Sequence, residues 1–171
     1  MQKSDIPFLT ATELSRLIKA KEVSPVETVE AYLERINEVD PKLNAYITVC
    51  GDEAMAQAKE SEQALAQGNY RGPMHGIPVA VKDQWWTKGI RTTAGSNILR
   101  DFIPDEDATV MTKLNDAGAI LLGKTNLTEF AMAYTYHYPF GTPTNPWDLS
   151  RMPGGSSAGS GSATSASLCA T

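Results

Sequence analysis

Met152-Pro153-Gly154-Gly155-Ser156-Ser157-Ala158-Gly159-Ser160-Gly161-Ser162-Ala163-Thr164-Ser165-Ala166-Ser167-Leu168-Cys169-Ala170-Thr171 is the stretch on which the reading of this chain turns. By composition alone a Gly/Ser tract reads as a flexible linker, because it buries too little apolar surface to offset the entropy of ordering. Three features oppose that reading. The glycines are front-loaded, at Gly154, Gly155, Gly159 and Gly161. Small side chains with Leu168 and Cys169 follow, as in a helix packed closely on its neighbours. The tract also comes soon after Asn145-Pro146-Trp147-Asp148, a turn with an aromatic anchor. Adjacent glycines before paired serines suit a tight turn that gathers N–H groups and hydroxyls around a small substrate.

Upstream of this tract, Pro78-Val79-Ala80-Val81-Lys82 is a short apolar run ending in a lysine, the look of a strand buried on both faces. Lys82 has two readings. It is a strand-end lysine that reaches solvent, or a lysine whose ammonium is disfavoured by burial and which serves as a general base. Asp83 orients the following loop or bonds the neighbours of the lysine, and local sequence does not choose. Trp85 and Trp86 read as core or as a wall that excludes water. Residues 107–114 open a helix that Gly118 closes, and Ala119-Ile120-Leu121-Leu122-Gly123 is the next buried strand. Strand, helix and strand in this order predict a crossover unit of an α/β fold. Gly123-Lys124-Thr125 looks like the tail of a phosphate loop, but the earlier glycine is missing, which argues against a nucleotide site.

Towards the N-terminus, Thr10 and Glu13 form a capping box for a helix to about Lys21. Ser24, Pro25 and Glu27 start a second helix, expected to end before Pro41. Residues 45–50 have strand composition, and an alanine-rich helix from about Glu53 to Gln67 ends at Gly68. Thr125 or Asn126 reads as the cap of a further helix. His137 reads as a loop residue.

Pro153-Gly154-Gly155-Ser156-Ser157-Ala158-Gly159-Ser160 resembles the Gly-Gly-Ser-Ser-Gly-Gly-Ser core of the amidase signature family. The resemblance covers nearly the whole chain in collinear blocks: Gly76-Ile77-Pro78-Val79-Ala80-Val81-Lys82-Asp83, Thr92-Thr93-Ala94-Gly95-Ser96, Gly123-Lys124-Thr125-Asn126-Leu127, Gly141, and Asn145-Pro146-Trp147. It implies the N-terminal part of an amidase-signature fold, with a mixed β-sheet core covered by helices on both faces. It implies a single incomplete domain, with residues 1–75 a helical N-terminal region and residues 76–171 the start of the catalytic core.

The family hydrolyses carboxamides without a cofactor through a Ser–cis-Ser–Lys triad. By resemblance Lys82 is the base and Ser156, after a cis Gly155–Ser156 bond, is the relay. Ser157 is placed to hydrogen-bond within the site, and Met132 and Tyr134 to wall the acyl pocket; ordinary core or loop aromatics are the alternative for that stretch. Ser160, Ser162, Ser165 and Ser167 read as close-packing residues of a helix. Ala158 departs from the common glycine, which fits if it starts that helix. The attacking serine of the family lies in a Gly-Gly-Ser motif beyond the point matching residue 171. The expectation is therefore an amidase truncated before its nucleophile, inactive alone and with an exposed sheet edge. One alternative is the A subunit of the glutamine-dependent tRNA amidotransferase, acting with partner subunits. Another is a non-catalytic fragment or small-molecule-binding domain.

The 171 residues carry a net charge of −5, which gives no electrostatic footprint for nucleic acid or an anionic membrane. No apolar run is long enough to span a bilayer, and residues 1–7 show no signal-peptide pattern. Cys50 and Cys169 lack motif spacing and read as thiols in a reducing cytoplasm. His75 and His137 are far apart with no cysteine cluster, so no metal site is expected. The expected partner is a small-molecule amide; a homodimer and amidotransferase subunits are both compatible with the residues.

Overall fold

The computed structural model describes residues 1–132 and 136–171. The first helix, α1 (Ala11–Lys19), begins where the sequence places it. Thr10 Oγ1 accepts from the Glu13 amide at 3.2 Å, and the Thr10 amide donates to Glu13 Oε2 at 2.9 Å. Two backbone donors that the helix leaves orphaned are thus satisfied. The second, α2 (Pro25–Leu43), has Ser24 as cap, accepting from the Glu27 amide at 3.0 Å.

Pro41 does not end α2; the helix runs through it to Leu43. The proline stands exposed in the last turn, where its missing N–H removes one ladder bond. The stop is made by Asn44, left-handed at φ 51°, whose N–H donates to Asp40 O at 2.8 Å. The Asp40 carboxylate then takes the Ala45 amide at 2.8 Å, turning the chain into β1 (Tyr46–Val49). The third helix, α3 (Gly51–Ala66), is followed by Gly68 at φ +84°.

Strands β2 (Pro78–Lys82) and β3 (Ile120–Thr125) are joined through α4 (Thr109–Asp116) and pair in parallel, as the strand–helix–strand pattern predicts. Among the described residues the sheet has the order β1-β3-β2, with β1 antiparallel to β3. The fold is therefore α/β with a small mixed sheet. Ile120 and Leu122 belong to a cluster with Leu14, Ile18, Val29, Tyr32, Ala58 and Ala163. Leu121, between them in sequence, packs with Val81, Met111 and Cys50. Successive strand residues face opposite sides, so both faces of β3 are buried. Each such aliphatic side chain contributes about 1.5–3 kcal/mol by leaving water.

The Gly/Ser tract is structured. It forms α5 (Ala158–Ser165), with Ala158 buried at the helix start, where alanine fits. Ser167 lies beyond α5 with φ 58°, so it is not part of the close-packed helix. The last two residues run beside β2: the Ala170 amide donates to Pro78 O at 3.0 Å and the Ala80 amide to Thr171 O at 3.1 Å. The outer edge of β2 is to that extent occupied, not bare.

Among the described residues no full helix starts at Thr125 or Asn126. Thr125 is the last residue of β3, and a 3₁₀ turn, Glu129–Ala131, follows it. The donors that a helix would need are spent elsewhere: the Glu129 amide on His137 O at 3.0 Å and the Phe130 amide on Ala94 O at 2.8 Å. Among the described residues no helix is long and apolar enough to cross a membrane.

Candidate active site

Lys82 and Thr125 are register partners at the carboxyl ends of the two parallel strands. Open α/β sheets present their ligand sites at this edge. Lys82 is half-buried, and burial lowers the pKa of its ammonium from the ordinary 10.5. Its Nζ donates to Ser156 Oγ at 2.7 Å, across 74 positions of sequence.

Ser156 is held from three sides. The Gly155–Ser156 peptide bond is cis, and Gly154 before it has φ +96°. Ser156 O accepts from the Thr128 amide at 3.2 Å. On the downstream side α5 is fastened to the end of β3. The Gly159 amide donates to Asn126 O at 2.8 Å, Thr125 Oγ1 lies 2.7 Å from Ser160 Oγ, and Ser162 Oγ donates to Thr144 O at 2.8 Å. Gly159 has no substitute here, since a Cβ would fall on Ala45 O and Asn126 N. The small residues of the tract thus let a helix touch a strand end, which a linker would not do.

Of the other residues singled out in the sequence, Ser157 precedes α5 and is exposed, with no side-chain capping bond. Met132 is 55% exposed, just after the 3₁₀ turn. Tyr134 lies outside the described residues. Trp85 and Trp86 are 41% and 44% exposed, so neither is core; Trp86 meets Phe102 in a tilted contact with ring centres 5.3 Å apart. His137 is an exposed loop residue.

Asp83 is fully buried and holds the loop that follows Lys82. Its Oδ2 accepts from the Thr93 amide at 2.8 Å and from Thr93 Oγ1 at 2.5 Å. Its Oδ1 stands 3.6 Å from Nζ of Lys124, itself wholly enclosed. Burial pushes the Asp83 carboxyl up and the Lys124 ammonium down. Sequence reasoning misses Lys124, because Gly123-Lys124-Thr125 reads there only as the tail of a phosphate loop. The available signal is a lysine inside an apolar strand, which needs a buried acid as partner.

Thr128 is a second omission. Its Oγ1 is buried with no hydrogen-bond partner among the described residues, while its amide holds Ser156.

A cleft of about 190 Å³, lined by Gln57, Glu60, Arg71 and Asn115, sits by Ile120, at the opposite end of β3 from this site. Among the described residues no group of three His, Cys, Asp or Glu side chains is placed to hold a metal ion. Cys50 and Cys169 are free and buried, and burial raises both thiols, Cys50 to about 11.

The chain is thus an α/β protein with a lysine–serine pair at the carboxyl ends of its parallel strands. A family profile described as Amidase matches residues 27–171, and the chain belongs to that family. It is 48% identical over 163 residues to the A subunit of the glutamyl-tRNA(Gln) amidotransferase of Carboxydothermus hydrogenoformans, covering 95% of this chain and 34% of that protein. Its fold superposes on the native peptide amidase of Stenotrophomonas maltophilia with a TM-score of 0.88 at 37% identity, covering 94% of this chain and 34% of that one. A fatty acid amide hydrolase superposes with a TM-score of 0.92 at 30% identity, covering 98% of this chain and 30% of that one. The chain spans about a third of the length of the curated relatives it matches.

Proposed function

We propose that these residues supply the base and the proton relay of an enzyme that hydrolyses carboxamide C–N bonds. The observation that carries this is the 2.7 Å contact between Lys82 Nζ and Ser156 Oγ at the strand ends. A lysine held below its usual pKa has a larger share of free amine, and a free amine can take a proton from Ser156 Oγ–H. Ser156 in turn takes the proton of an attacking serine as that serine bonds to the amide carbonyl carbon. On collapse of the tetrahedral adduct the C–N bond breaks, and the proton returns through Ser156 to the leaving nitrogen. Water then cleaves the acyl ester by the same relay in reverse.

In this reading the 171 residues are one incomplete amidase domain, the attacking serine comes from sequence beyond residue 171, and the isolated chain turns nothing over. Ser157 and Met132 border the substrate in this reading. Two buried free thiols suit a reducing compartment such as the cytoplasm.

The test uses the complete protein and a serine-directed fluorophosphonate probe. Labelling on a serine beyond residue 171, slowed at least about a hundredfold by Ser156→Ala, is the expected result. Labelling that ignores Ser156→Ala would sink the relay.

One observation favours a narrower second reading. Identity to the amidotransferase relative is 48%, against 37% for the peptide amidase. In that reading the amide is glutamine, and the ammonia passes to partner subunits. Glutaminase activity that rises when partner subunits co-purify would favour it; turnover of simple amides with no bound partner would favour a free-standing amidase.

A further inference from the structure

Lys82 and Lys124 stand near the ends of neighbouring strands but leave the sheet on opposite faces. Val81 pairs with Lys124 and Lys82 with Thr125, and alternation along a strand sends consecutive side chains to opposite sides. Lys82 turns to Ser156. Lys124 turns into the protein, where none of its side chain is exposed.

A buried ammonium is costly unless each of its protons finds an acceptor. Lys124 Nζ donates to Trp85 O at 2.6 Å, to Thr92 Oγ1 at 2.7 Å and to Thr87 Oγ1 at 3.1 Å. Those are its three protons, and the Asp83 carboxylate at 3.6 Å balances the charge. Asp83 and all three acceptor residues lie between positions 83 and 92, in the segment that begins directly after Lys82. Further bonds hold that segment: the Asp83 amide donates to Thr125 O on β3 at 3.0 Å, the Ala94 amide to Asp83 O at 2.8 Å, and the Trp85 amide to Lys82 O at 3.1 Å.

We infer that Lys124 is a positioning residue for Lys82: its enclosed ammonium gathers residues 83–92 onto the end of β3 and so fixes where the chain leaves β2 and where the Lys82 amine stands relative to Ser156. The inference rests on the reading of Lys82 as the base. The three neutral oxygens that satisfy the buried ammonium all come from one loop, so the bonds that keep Lys124 enclosed also tether that loop to β3. The direction of the Lys82 side chain is set by the backbone that the tether holds, and misplacement by about 1 Å costs on the order of a hundredfold in rate.

The experiment measures kcat, KM and thermal midpoint on a primary amide with the complete protein. Lys124→Met is expected to lower kcat about a hundredfold while KM moves less than about threefold, with a lower midpoint. Lys124→Met/Asp83→Asn also removes the stranded carboxylate; its midpoint is expected to recover while kcat stays low. Recovery of kcat along with the midpoint would reduce Lys124 to a structural role and overturn the inference, as would wild-type kcat in Lys124→Met. Should neither variant fold, Thr92→Val removes one prong and leaves the ion pair; kcat is expected to fall roughly threefold to tenfold, and an unchanged kcat would overturn the inference. Lys82→Ala serves as the separate control: wild-type turnover in that variant would mean that the base assignment itself had failed, whatever Lys124 does.

Discussion

The Gly159 amide donates to Asn126 O at 2.8 Å, and there is no room between them for a side chain, since a Cβ on Gly159 would meet Ala45 O and the Asn126 amide. This contact seats the start of α5 on the end of β3 and, three residues earlier, sets the place of Ser156. Gly159→Ala must push α5 away from the strand. It is expected to cost about 1–3 kcal/mol of stability. Denaturant melts of the variant against the parent check this, and an unchanged midpoint would mean that the helix seat is softer than the geometry implies.

The pH dependence follows from Lys82. Burial disfavours its charged form and lowers its pKa from 10.5. A base acts only when neutral, so kcat/KM should rise with pH through the Lys82 pKa and fall as pH drops below it. The lowered pKa moves that limb toward neutrality. Titration of the Lys82 side chain followed by NMR at Cε should show a midpoint below 10.5; a midpoint at or above that value contradicts the assignment.

Leu122 is fully buried in the centre of β3, within the cluster that joins the sheet to α1, α2 and α5. Leu122→Ala removes three carbons and leaves a cavity, which is expected to destabilise the fold by about 2–5 kcal/mol. Calorimetry would read it as a clear drop in melting temperature. A loss below about 1 kcal/mol would mean that the surrounding side chains collapse into the space.

What the residues alone disclose depends on how local the cause is. The caps at Thr10 and Ser24 each act within four residues, so the starts of α1 and α2 are readable from the chain. The crossover from β2 to β3 is also legible, because two apolar runs flank an amphipathic segment. Lys82 and Ser156 stand out by resemblance, and in the fold they touch. The misreadings share a non-local cause. Pro41 does not stop α2, because Asn44 and Asp40 end it further on. The helix expected after Asn126 is lost to acceptors on Ala94 and His137. Asp83 holds the loop at Thr93, one of the two roles its sequence allows, but its ion pair with Lys124 lies across to another strand, and no spacing rule links positions 83 and 124. Of the two readings of Trp85 and Trp86, core and wall, their exposure excludes core.

The measurement that bears most directly on the central claim is the turnover of an amide by the complete protein carrying Lys82→Ala. The account predicts a loss in kcat/KM of about a hundredfold to ten-thousandfold with the fold retained, and a similar loss for Ser156→Ala because both sit on one proton path. Parental kcat/KM in folded Lys82→Ala would contradict it.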